Sequence, residues 1–77
     1  MSLKAIWRVM LRPRGDHNHH YAATHRNQPV PRKGQIINVR DVDGRLVIAV
    51  IEGARRENTR SGRKSRVFTI HADEIEV

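Results

Sequence analysis

QIINVRDVDGRLVIAVIEG, residues 35–53, is the stretch that decides the fold. Two runs rich in β-branched residues, Gln35–Val42 and Arg45–Gly53, flank Asp43-Gly44. An Asp-Gly pair between such runs is the strongest short-range hairpin signal, because both central residues of a type I′ turn take positive φ. Leu46–Ile51 is apolar on both faces, the mark of a strand covered on both sides. The expected inward set is Ile37, Val39, Leu46, Ile48 and Val50, joined by Phe68 and Ile70, with Trp7 against them. On this reading Ile48→Ala costs about 2–5 kcal/mol, as large-to-small core changes do.

C-terminal to the hairpin, Ala54–Ser65 is polar and basic and reads as a mobile loop or arm. Arg66–Ala72 returns as a strand with Phe68 and Ile70 on one face, Val67 and Thr69 on the other; Ile75 and Val77 are further inward candidates. On the N-terminal side, Leu3–Arg12 fits two periods. Leu3, Ile6, Trp7, Met10 and Leu11 make a helical face capped by Ser2, whereas Leu3, Ala5, Trp7, Val9 and Leu11 make one face of a strand. Ile6, Trp7 and Val9 favour strand, the rest of the chain is β-rich, and Pro13 ends either element. Strand is the reading taken.

Gly15 to Gly34 is long for a structureless connection in so small a domain. A short edge strand near His20–Arg26 is expected to turn back on the first, after turn chemistry at Gly15–Asp16. Pro29 and Pro31 then force an extended approach to Gly34. The whole predicts a single small β domain over residues 1–77, a five-stranded SH3-like barrel or strongly curled antiparallel sheet with two long basic loops. That comparison is architectural and carries no function.

Phe68-Thr-Ile-His-Ala-Asp-Glu-Ile75, preceded by the hairpin, resembles the later strands of the carbon storage regulator family of small RNA-binding proteins. The likeness covers less than half of the chain. Ala72 stands where that family places a basic residue for RNA contact, and Arg14–Lys33 has no counterpart there. No function is carried over from it.

Seventy-seven residues suit one core, too small for sizeable internal cavities. With no cysteine there is no disulfide framework, thiolate ligand or cysteine nucleophile, which favours an intracellular address. No run is apolar enough for a membrane-spanning helix and no signal-peptide layout opens the chain; cytoplasmic localisation without membrane contact is expected.

The net charge of +7 is unevenly spread: +6 over residues 1–34, +5 over 54–66, −1 over 35–53 and −3 over 67–77. Arg55, Arg56, Arg60, Arg63, Lys64 and Arg66 are spaced by Asn, Thr, Ser and Gly; the Asn, Thr and Ser side chains and backbone amides add hydrogen bonds to phosphate oxygens. With Arg32–Lys33 and the Arg12–Arg14 edge they predict a non-enzymatic nucleic-acid-binding module for RNA or DNA. Neutralising Arg60, Arg63 and Lys64 together is expected to flatten the salt dependence of that binding. Trp7, Tyr21 and Phe68 are too few for an obvious stacking platform. The reading from another class is a protein-interaction or assembly module using an exposed β edge.

Asp16-His-Asn-His-His20 is the other notable cluster, with His25 and His71 elsewhere. His17 and His19 share a face if extended, yet a metal site needs three or four ligands. The segment reads as a polar turn, and no metal, cofactor or stoichiometric zinc binding is expected of it. Asp43 is explained by the turn, and Asp73, Glu74 and Glu76 by offset of the basic segment. Ser2, Ser61 and Ser65 lie in no nucleophile turn, so no catalytic set is nominated.

Overall fold

The chain forms five strands: β1 (Lys4–Arg12), β2 (His20–Pro29), β3 (Ile36–Arg40), β4 (Leu46–Asn58) and β5 (Lys64–Glu74). The computed structural model describes residues 4–58 and 64–76. Among these no helix occurs, and none is long and apolar enough to cross a membrane. The strands lie in the order β2-β1-β5-β4-β3, one sheet curled into a half-barrel.

The strand reading of residues 3–12 holds over the described part, and β2 turns back on β1 as expected. The sheet is mixed rather than antiparallel, because β1 and β5 run parallel. The reason lies in the two antiparallel units. The β1–β2 hairpin and the β3–β4–β5 meander each leave one apolar strand with an open edge, and those edges pair. Their register sets Trp7 beside Phe68, Val9 beside Ile70 and Leu11 beside Ala72.

The central hairpin forms, but its turn differs from the expected one. Only Gly44 takes positive φ, at 82°, while Asp43 does not. Asp41 N–H donates to Arg45 O at 2.9 Å and Gly44 N–H to Asp41 O at 3.0 Å, leaving Val42-Asp43-Gly44 as a three-residue loop. A left-handed glycine closing such a loop is a common hairpin solution. One added loop residue shifts the register, pairing Val39 with Val47 and Ile37 with Ala49. Since the side-chain period is two, the whole of early β4 reverses its faces.

The core is therefore Trp7, Val9, Leu11, Val39, Ala49, Ile51, Ile70 and Ala72, with Ile37, Val47 and Phe68 partly buried against it. Val39, Ile70 and Trp7 lie inside as expected. Leu46, Ile48 and Val50 do not; Leu46 is 63% exposed, and the other two lie half-buried on the outer face.

The basic arm is also corrected. β4 continues to Asn58 and β5 begins at Lys64, so Arg55 and Arg56 lie within a ladder, opposite Thr69 and Phe68. Val67–Thr69 are strong strand formers and template their partner; the polarity of Ala54–Asn58 reflects solvent exposure rather than absent structure. The other expected long loop is largely β2, ten residues from His20 to Pro29.

Asp41 fixes the central turn. Its carboxylate accepts the backbone N–H groups of Asp43 and Arg45, each at 2.9 Å, and Arg45 Nε at 3.3 Å. The Arg45 N–H above all, helped by that of Asp43 and by the guanidinium charge, holds the Asp41 carboxyl below the ordinary aspartate value, with partial desolvation opposing. A carboxyl depressed on folding adds stability above its unfolded value, and that stability is lost as pH falls through the folded value. In an NMR titration Asp41 is expected to show a midpoint below that of aspartate in an unstructured peptide, and Asp41→Asn to remove this acid-side loss. An unshifted midpoint means that the turn is not closed by Asp41.

Candidate functional site

Strand pairing carries four side chains across one face of the sheet. His25 on β2 lies opposite Trp7 on β1, Trp7 beside Phe68 on β5, and Phe68 opposite Arg56 on β4. The Trp7 and His25 rings stack at 4.1 Å with 18° between planes, and the Arg56 guanidinium lies 5.0 Å from the Phe68 centroid. Trp7 is buried, His25 and Phe68 are half-buried, and Arg56 is exposed. The row thus opens to solvent toward its arginine end. Arg66 is exposed two residues before Phe68, and Arg55 is exposed opposite Thr69 on the other face.

Arg32 and Lys33 are exposed in the turn before β3. That turn is pinned to β4 by Gly34 N–H donating to Ile51 O at 2.8 Å, four residues along the strand from Arg55. Arg60 and Arg63 lie outside the described residues, as does the side chain of Lys64.

The carboxylates are distributed differently from expectation. Asp73 and Glu76 pair with Arg12, at 2.8 Å, and Arg14, at 3.4 Å, rather than with the 54–66 segment. The parallel β1–β5 register is the cause, since it sets Arg12 beside Asp73. Glu57 pairs with Arg8 and accepts from Thr69 Oγ1 at 2.8 Å. Arg12 and Arg14 are therefore partly offset, whereas Arg55, Arg56 and Arg66, the three arginines of β4 and β5, have no carboxylate partner among the described residues. Exposed ion pairs of this kind add little to stability.

The histidine segment divides. Asp16 Oδ2 lies 2.9 Å from His20 Nε2, and Asp16 Oδ1 accepts the Asn18 N–H at 2.9 Å, closing a local turn. The Asn18 N–H first, then His20, hold the Asp16 carboxyl below its ordinary value. His17 is exposed. His19 leaves the turn and packs edge-on against His71, with ring centroids 4.9 Å apart. Its Nε2 lies 3.5 Å from Glu52 Oε2 and 3.5 Å from Asp73 Oδ1. His19, Glu52, Gly53 and His71 line an open recess there.

Glu52 and Asp73 were not nominated from the sequence as partners of a histidine. Glu52 reaches this point because the β4–β5 register shifts between Ile51 and Gly53, leaving Glu52 as the extra residue of a bulge. A glycine at the end of an apolar strand is the signal that was available for it. Neither protein-family models nor curated proteins nor solved structures give a match to this chain.

Proposed function

We propose that the chain is a small non-enzymatic nucleic-acid-binding module that contacts phosphates through the β4–β5 hairpin. The observation that carries this is the row His25, Trp7, Phe68, Arg56, with Arg55 and Arg66 exposed on the same two strands. Arginines supply phosphate contacts, and an aromatic face beside a guanidinium plane suits a stacked base. Single-stranded RNA or DNA fits that pairing better than duplex, whose bases are already stacked. The test is a salt titration of binding to single-stranded and duplex oligonucleotides, wild type beside Arg55→Ala/Arg56→Ala/Arg66→Ala. Weak salt dependence in the wild type, or equal binding by both proteins, removes the proposal.

A second reading, a protein-interaction or assembly module, has one observation of its own. β3 is an edge strand, and Ile36 and Leu46, 60% and 63% exposed, sit beside half-buried Ile48, Val50 and Ile75. Apolar surface of this kind along an edge favours strand addition. On the assembly reading, sedimentation shows a concentration-dependent dimer that Leu46→Glu abolishes. A monomer at all concentrations counts against self-assembly.

A further inference from the structure

We propose that His19, Glu52 and Asp73 form a three-residue binding site for one divalent transition-metal ion of the zinc type. One ligand atom from each of the three lies within 4.8 Å of the others. The two His19 distances, 3.5 Å to Glu52 Oε2 and 3.5 Å to Asp73 Oδ1, are too long for charge-assisted hydrogen bonds. They match instead the spacing of donors around a shared ion. Tetrahedral bonds of about 2.0–2.1 Å put ligand atoms about 3.3–3.4 Å apart.

Two further features single out these atoms. His19 Nε2 and Asp73 Oδ1 are both buried, and among the described residues neither has a hydrogen-bond partner. A buried polar atom without a partner is costly, and two that face each other across 3.5 Å share one remedy. The supporting contacts are also in place. Arg12 Nη2 holds Asp73 Oδ2 at 2.8 Å, so Oδ1 is the oxygen turned to the cluster, and the Glu52–Gly53 bulge re-aims Glu52 toward it.

The donor set selects the class of ion. Imidazole and carboxylate without thiolate suit zinc and neighbouring first-row ions; calcium and magnesium prefer all-oxygen shells. The three elements joined are the loop after β1, the middle of β4 and the end of β5, so a bound ion staples that loop onto the sheet. The site stands apart from the arginine end of the stacked row, and its test needs no nucleic acid. It also replaces the sequence expectation for this region: Asp16 and His20 are occupied with each other, and His19 finds its partners on other strands.

Calorimetry of the full chain with zinc chloride at pH 7.5, in a non-chelating buffer, is expected to give one ion per chain. His19→Asn and Asp73→Asn are each expected to weaken binding at least tenfold, and His71→Asn, which removes the ring packed edge-on against His19, to weaken it less. His17→Asn is expected to bind as wild type does. Zinc at a hundredfold excess over the wild-type Kd is expected to raise the wild-type Tm by about 10 °C or more and that of His19→Asn by about half as much or less. Circular dichroism without metal checks each variant for folding. Should an inner variant fail to fold, Glu52→Gln, whose side chain is half-exposed, carries the same expectation. Cobalt(II) gives a second readout, visible d–d bands that only the intact set produces. Absence of one-to-one binding overturns the proposal, as does equal binding by wild type and His19→Asn, or equal loss in His17→Asn.

Discussion

Ile70→Ala is expected to unfold most of the population at mild denaturant, while Ile48→Ala is expected to leave the chain folded. Ile70 is fully buried between β1 and β4, paired with Val9 on one side and Ala54 on the other. Removing three carbons there costs about 2–5 kcal/mol, since the surrounding strands cannot collapse into the gap. A domain of this length holds only about 4–12 kcal/mol in total. Ile48 lies on the outer face and is half-buried, so its truncation forfeits about 1 kcal/mol of apolar burial. Urea melts of the two variants beside wild type measure the contrast through their midpoints. An Ile48→Ala loss equal to or larger than that of Ile70→Ala means that β4 sits in the opposite register.

That contrast marks where sequence reasoning worked and where it ran out. Residues 35–53 declare a hairpin through their β-branched runs and Asp43-Gly44, and the hairpin is there. They do not declare its loop length. Residues 46–51 are apolar on both faces, so no alternation fixes the parity, and the turn alone decides which face is inside. Asp41, through its three accepted hydrogen bonds, favours the longer loop, a tertiary-scale consequence of one short side chain. In β1 the strand set Ala5, Trp7, Val9 and Leu11 was fully legible, and all four are buried.

Polarity misled the reading of Ala54–Asn58. A hydrophilic segment reads as a loop when judged alone, yet pairing to Val67–Ile70 makes it strand and orders Arg55 and Arg56. The parallel β1–β5 pairing joins the two ends of the chain, and no local pattern encodes a pairing at such separation. Both candidate sites depend on it. It sets Trp7 beside Phe68 in the stacked row, and it sets Arg12 beside Asp73 in the histidine–carboxylate cluster. The arginines were visible in the sequence as charge, but the place of Arg56 beside an aromatic row, with Arg55 on the opposite face, was not.

Replacing Arg55, Arg56 and Arg66 together by Ala is expected to cut affinity for single-stranded nucleic acid by about a hundredfold or more at 0.1 M salt. Each guanidinium that neutralises a phosphate releases about 0.7 counterion from a single strand and 0.9 from duplex. A wild-type site with three to five such phosphate neutralisations then has a log–log salt slope of about −2 to −5. Removing three of them flattens it by about 2 to 3, and that difference, scaled by salt concentration, is the drop in affinity. The fold is expected to survive, because all three side chains are exposed. The packing given up is that of the Arg56 guanidinium over the Phe68 ring, about 0.5–1 kcal/mol at an exposed site. Lysine at the same three positions separates charge from stacking. It restores the slope, since the ammonium still displaces counterions, but not the full affinity if the planar guanidinium of Arg56 stacks on a base. A second pair, Arg32→Ala and Lys33→Ala, is expected to flatten the slope further by about 1 to 2 if the β2–β3 turn shares the bound strand. An unchanged slope in the triple alanine variant assigns any binding to other cations, and the edge-strand reading then takes precedence.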